Sequence, residues 1–153
     1  MNIPIVDLSL MNGKIDEIAN LADVITHSYT NIGFSYIINH GIESNLINDI
    51  MNVSREFYAL PLESKLKIKR NEFFRGYYPL NSSINNISTM GRSYYPNWNE
   101  SFVIGHEINN SKISNPLSGP NQWLYDVPNF KEVVINYEGK IKAGSFCLKI
   151  ITT

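Results

Sequence analysis

The chain has 153 residues, a formal net charge of −1 and 18% charged residues. That length supports one domain with a real core, and the balanced charge leaves no electrostatic footprint for nucleic acid or an anionic membrane. Cys147 is the single cysteine, which excludes an intramolecular disulfide, and MNIPIVDLSLMNG has neither the basic start nor the long apolar core of a signal peptide. No apolar run approaches the ~20 residues of a membrane span, so the expected location is cytoplasmic. The 20 Asn and 21 Ile against 4 Ala and 4 Arg fit an AT-rich coding sequence better than a functional demand.

IPIVDL at 3–8 is short, apolar and β-branched, and reads as a strand. From Lys14 to Thr30 the period changes: Ile15, Ile18, Ala22, Ile25 and Tyr29 recur at steps of three and four, the face of a helix that Asn31 and Gly33 end. GFSYIIN at 33–39 reads as a buried strand, and Gly41 breaks it. Ser44 can cap a second helix with the stripe Leu46, Ile50, Val53 and Phe57. LPLESKLKI follows, with Pro61 suited to the first turn of a short third helix.

FFRGYYPL at 73–80 reads as an aromatic strand limited by Pro79. Residues 81–98 lack periodicity and form a long loop, and ESFVIG at 100–105 is a further short strand. NPLSGPNQWLYDVP at 115–128 is turn chemistry almost throughout. Phe130, Val134, Tyr137, Ile141, Gly144, Leu148 and Ile151 then mark a long final helix at about 129–151. Alternating strands and helices could suggest a parallel α/β sheet. The uneven strand spacing, the lack of a Gly-rich phosphate loop, and two late strands with no helix between them oppose it.

Few side chains stand at spacings that carry chemistry. His27 points away from the apolar face of its helix and reads as a solvated surface residue. His40, between Asn39 and Gly41 at a strand exit, reads as a turn residue, because no ligand partner stands at suitable spacing. His106 and Glu107 are neighbours whose side chains would point to opposite faces of a strand, and only a turn would bring them together. No histidine begins a His-x-Asp or His-x-Glu pair, and there is no Cys–Cys pair for zinc. Cys147 reads as a small buried hydrophobe, and Trp98 and Trp123 as core or loop anchors.

Arg75, Tyr77 and Tyr78 are more suggestive. On a strand Arg75 and Tyr77 share a face, and an arginine beside a phenol can clamp a carboxylate by charge-assisted hydrogen bonds. The alternative is an exposed arginine leaning on an aromatic ring. Arg92, Tyr94 and Tyr95 repeat the composition within the long loop.

IPIVDLS at 3–9, GFSYIINHGI at 33–42, SREFYALPLESKLKI at 54–68, FRGYYPL at 74–80, ESFVIG at 100–105 and NPLSGPNQW at 115–123 occur in this order. Together they resemble the N-terminal region of the non-haem iron, 2-oxoglutarate-dependent dioxygenases related to isopenicillin N synthase. The resemblance implies an α+β fold: the N-terminal helices and strands of a double-stranded β-helix (jelly roll), incomplete over residues 1–153. It implies Fe(II) and 2-oxoglutarate as cofactors of a complete enzyme, the iron held by a His-x-Asp pair and a distant His. No position here matches those ligands, so this chain is expected to bind neither cofactor alone and to lack catalytic and metal residues. Arg75, Gly76 and Tyr77 match a segment that borders the substrate side of the pocket, which makes Arg75 and Tyr77 the candidate substrate-binding residues.

Three functions are compatible with this pattern. The chain is an inactive N-terminal part of an oxygenase, the partner of a separately encoded C-terminal half, or a non-catalytic interaction module on the same scaffold. Strand edges and a helix seam that lack the second half of a jelly roll would also favour self-association.

Overall fold

Val6 alternates with Ile5 and Asp7, which suits a strand with one covered face. The computed structural model describes residues 2–82, 96–105 and 119–151, with side chains in the last helix described to Lys142. In it β1 (Ile5–Asp7) leads through a 3₁₀ turn (Leu8–Asn12) into α1 (Ile15–Asn31), then β2 (Tyr36–Ile38) and α2 (Ser44–Ala59). The short α3 (Leu62–Leu66), β3 (Gly76–Tyr78), β4 (Ser101–Val103) and α4 (Phe130–Ile151) follow. The mixed helix and strand content agrees with the α+β expectation, and each expected element among the described residues is present, but β2, expected as a buried strand, covers only Ile37 and leaves Tyr36 and Ile38 exposed. The strands are shorter at both ends than expected. No described helix is long and apolar enough to cross a membrane.

The chain divides into two units, residues 1–51 with 132–153, and residues 52–131. In the first, β1 and β2 pair in parallel, Ile5 opposite Tyr36, Val6 opposite Ile37 and Asp7 opposite Ile38, joined through α1. A single βαβ unit is therefore present, although the pattern argued against a larger parallel sheet. Val6, Leu8, Leu21 and Ile25 form the core, with Leu10, Met11, Val24 and Ile37 packed on it.

The buried face of α1 differs from the expected one. It runs through Leu21, Ile25 and Ser28, while Ile15 is 78% exposed and Tyr29 lies on the surface. Ser28 is fully buried, with its hydroxyl donating to the Val24 carbonyl at 2.6 Å. That bond lets a polar residue occupy a core position, so the stripe is interrupted in hydropathy but continuous in space. Gly33, at φ +94°, ends the helix, with its N–H on the Ser28 carbonyl at 3.0 Å.

Asn39-His40-Gly41 closes β2. Asn39 adopts φ +54°, and its side-chain NH₂ donates to Asp7 Oδ1 at 2.7 Å, tying the ends of the two strands. The Ser9 N–H donates to the same oxygen at 2.9 Å. The Asn39 bond first, and then the Ser9 bond, hold the Asp7 carboxyl below its usual range. The His40 ring accepts the Ile42 N–H on Nδ1 at 3.1 Å, so this histidine caps a turn, in line with the reading of the sequence.

The stripe expected of α2 is present: Leu46 is buried and Ile50 half-buried in the first unit, and Val53 and Phe57 are buried in the second. β3 and β4 pair antiparallel, Gly76 opposite Val103, Tyr77 opposite Phe102 and Tyr78 opposite Ser101. Residues 73–75, expected in the strand, instead form a turn around Asn71, whose Oδ1 accepts the N–H groups of Phe73 and Arg75, each at 3.0 Å. Trp98, expected as an anchor, is 85% exposed. His106, Arg92, Tyr94, Tyr95 and the Cys147 side chain lie outside the described residues.

The Asn39 backbone supplies a test. Alanine in the left-handed region costs about 1 kcal/mol that glycine does not. Asn39→Ala and Asn39→Gly both lose the bond to Asp7. Urea denaturation should therefore rank Asn39→Gly above Asn39→Ala in stability by about 1 kcal/mol, with wild type above both.

Candidate functional site

The second unit holds the polar groups that the sequence singled out, set around an aromatic core. Phe57 stacks on Phe130 with ring centroids 4.9 Å apart and 11° between planes. It meets Tyr58 and Tyr77 edge-on at 5.1 and 6.0 Å. Phe102 closes the group, 5.3 Å from Phe57 and 5.2 Å from Phe130, and Trp123 lies 6.0 Å beyond Phe102. Such pairs add to the area that each ring buries. Trp123 is thus the anchor expected of it.

A charged cluster lies against this core. Lys65, only 6% exposed, donates to Glu100 Oε2 at 2.8 Å and to the Tyr58 carbonyl at 3.0 Å. Its ammonium also stands 5.3 Å from the Tyr77 ring centroid. The Tyr77 hydroxyl donates to the same Glu100 oxygen. Burial first, and then the bond to Glu100, push the Tyr77 phenol far above its usual range. Burial raises the Glu100 carboxyl, but the hydrogen bonds from Lys65 and Tyr77 outweigh it and leave the group below its ordinary value. Burial also raises the Tyr58 phenol, whose oxygen accepts the Phe102 N–H at 3.1 Å.

The two candidate residues go to different places. Tyr77 is 1% exposed, with its hydroxyl on Glu100. Arg75 precedes the strand, and Gly76 between them has φ +109°, so the alternation that would put both side chains on one face is broken. The Arg75 guanidinium lies against Gly105, where a Cβ would collide with it. Arg70 leans on aromatic rings, 5.0 Å from the centroid of Phe74 and 5.3 Å from that of Tyr78.

A second set of polar side chains frames Arg75. Asn121 brackets Gly105, its Oδ1 accepting the N–H and its NH₂ donating to the carbonyl, both at 2.9 Å. The Gln122 NH₂ donates to the carbonyls of Lys69 and Arg75 at 2.7 and 2.8 Å. Reading the sequence identified neither Asn121 and Gln122 nor Lys65 and Glu100 as site residues. The available signals were a lysine in a short helix, a carboxylate heading a strand, and carboxamides within turn chemistry.

Residues 3–126 match the family model of the non-haem dioxygenase in morphine synthesis, N-terminal. The chain belongs to this family of dioxygenase N-terminal regions. A homoarginine-6-hydroxylase of Arabidopsis thaliana is 31% identical over 149 residues, which are 89% of this chain and 43% of that protein. Kihadalactone A synthase of Citrus sinensis is 27% identical, with 97% of this chain and 45% of that protein covered. A full-length Neurospora crassa protein crystallised with alpha-KG superposes with a TM-score of 0.77 at 28% identity, over 98% of this chain and 46% of its own. A 2OG-Fe(II) oxygenase family protein of Caulobacter crescentus shares the fold at a TM-score of 0.74 and 19% identity, over 98% of this chain and 47% of its own. The chain thus spans just under half the length of these relatives.

Among the described residues no three of His, Cys, Asp and Glu stand close enough together to hold a metal ion. His27 is exposed on α1 and His40 caps a turn. The described residues therefore do not fit the iron centre that the family resemblance implies.

The core and the charged cluster generate two tests. Phe57→Ala should cost about 3–5 kcal/mol in urea unfolding. Glu100→Gln leaves the Lys65 ammonium without its counter-charge and should cost about 3 kcal/mol. The pH profile follows from the signs. The lowered Glu100 contributes stability above the usual glutamate value near 4.3, lost as pH falls through its folded value. The raised Tyr77 contributes stability below a pH of about 10, lost as pH rises toward its folded value. Thermal unfolding across pH should show both limbs, with Tyr77→Phe flattening the alkaline one.

Proposed function

We propose that this chain is the N-terminal part of a non-haem iron, 2-oxoglutarate-dependent oxidoreductase, and that it is inactive until a second polypeptide segment brings the His-x-Asp and distant His. The family match over residues 3–126, covering less than half of each relative, carries the reading. No His-x-Asp or His-x-Glu pair in the sequence supports it. In the complete enzyme the second segment finishes the jelly roll and holds Fe(II) and 2-oxoglutarate. This chain contributes scaffold, which includes Tyr77 buried on Glu100, and the substrate-side border, with Arg75 as the cation for an anionic substrate group.

One structural feature fits a chain that takes up a further segment. Ile5, Tyr36 and Ile38 share one face of the β1–β2 pair, and all three are exposed. Ile3 and Phe34, next to the strands, are exposed as well. A small sheet with an apolar outer face is suited to further strands or to self-association.

The test has two arms. Anaerobic titration of the chain with Fe(II) should show no stoichiometric uptake, and no succinate should form from 2-oxoglutarate. Co-expression with a polypeptide carrying the His-x-Asp and second His should restore iron-dependent succinate formation, which Arg75→Ala lowers through a raised KM for the primary substrate. Succinate made by the chain unaided, or a co-expressed pair that never associates, would overturn the reading.

A further inference from the structure

NPLSGPNQW reads as turn chemistry, yet its carboxamides make backbone contacts of a specific kind. Asn121 offers Gly105 one donor and one acceptor, the same pair that a neighbouring β-strand would offer. Gln122 does similar work with its NH₂ alone, joining two carbonyls six residues apart, those of Lys69 and Arg75. Both contacts converge on Arg75. Gln122 fixes the carbonyl of Arg75, and Asn121 fixes Gly105, the surface on which the guanidinium lies.

The glycines show how close this fit is. At Gly105 a Cβ would find the Arg75 guanidinium as its nearest neighbour, 2.6 Å from Nε and closer to the atoms beyond. Gly105 has no left-handed backbone angle, so a larger residue there would be felt through space, by displacing the Arg75 guanidinium. At Gly76 a Cβ would collide with the Gln122 amide and the Ile68 carbonyl, and its φ of +109° also disfavours other residues. Arg75 is half-buried and its Nε is fully buried, so the inner end of the guanidinium is shielded from solvent.

We propose that Asn121 and Gln122 are positioning residues for Arg75. They hold its backbone and the Gly105 seat so that the guanidinium is presented in one orientation. The consequence for substrate rests on the reading of Arg75 as the substrate-side cation. The positioning itself does not.

Only four arginines occur in the chain, so the Nε–H signals are separable by NMR. The Arg75 signal is identified by its loss in Arg75→Ala. In the wild-type chain it should exchange with deuterium at least tenfold more slowly than that of the exposed Arg55 or Arg70. Asn121→Ala, Gln122→Leu and Gly105→Ala should each remove that protection. Asn121→Asp, which keeps the acceptor and loses the donor, serves if Asn121→Ala does not fold. A second measurement is independent of exchange. Gly105→Ala should lower Tm in the wild-type background and have little effect in an Arg75→Ala background, where the colliding group is gone.

Unchanged Arg75 protection in folded Asn121 and Gln122 variants overturns the proposal. So does a Tm loss from Gly105→Ala that is equal in both backgrounds. Both readouts use the chain without iron or oxoglutarate. A failure of the co-expressed enzyme to make succinate would therefore count against the dioxygenase reading and leave the placement of Arg75 standing.

Discussion

The second unit is organised by the need to satisfy one ammonium group that folding takes out of water. Lys65 is almost wholly buried, and an unpaired charge there would cost several kcal/mol. The demand is met by Glu100, the Tyr58 carbonyl and the face of Tyr77. Glu100 lies 35 residues away in sequence and directly precedes β4. Satisfying the charge therefore fixes where β4 begins. Tyr77 binds the same carboxylate oxygen from β3, so the charge and the register of the β3–β4 pair are one constraint. The Phe57 cluster packs edge-on against Tyr77, whose ring faces the ammonium, and so gives Lys65 an apolar side that strengthens its interaction with the partly exposed Glu100.

Beyond that charge, side-chain amides do the work of strands. β3 and β4 are three residues each, too short to hold this part of the unit by ladder bonds alone. Asn71 holds the turn before β3, Asn121 takes the place of a neighbouring strand at Gly105, and Gln122 crosses from Lys69 to Arg75. A carboxamide carries the donor and acceptor of a peptide group without requiring extended backbone. An Asn-rich chain can thus keep irregular segments satisfied where regular pairing stops.

These two devices explain what was legible in the sequence. Elements with enough apolar residues to show a period were readable, as with the Leu46–Phe57 stripe and the extent of α1. The face of α1 was not, because Ser28 is buried through a bond to its own helix, which hydropathy counts as exposure. The strand at 73–80 was readable as extended aromatic sequence, but the Asn71 turn and the left-handed Gly76 separate Arg75 from Tyr77. Trp98 misled because size alone suggests an anchor, whereas its exposure is decided by what packs against it. Lys65 and Glu100 were invisible as a pair, since no spacing rule joins residues 35 apart.

The groups that hold the second unit are distinct from those that iron chemistry needs. Its cluster consists of one lysine, one glutamate and one phenol around aromatic rings, and its frame of carboxamides and glycines. None of the hydrogen bonds described for it uses a histidine, and each is made within residues 52–131. The contacts described for Arg75 are packing against Gly105 and backbone recognition by Gln122, neither of which involves a metal ligand. A scaffold of this kind can keep Arg75 in place whether metal ligands come from the same polypeptide or from another. What it cannot do is replace them: the Glu100 carboxylate in this cluster is held by Lys65 and Tyr77, and drawing it onto a metal would uncover the buried ammonium that the whole arrangement exists to satisfy.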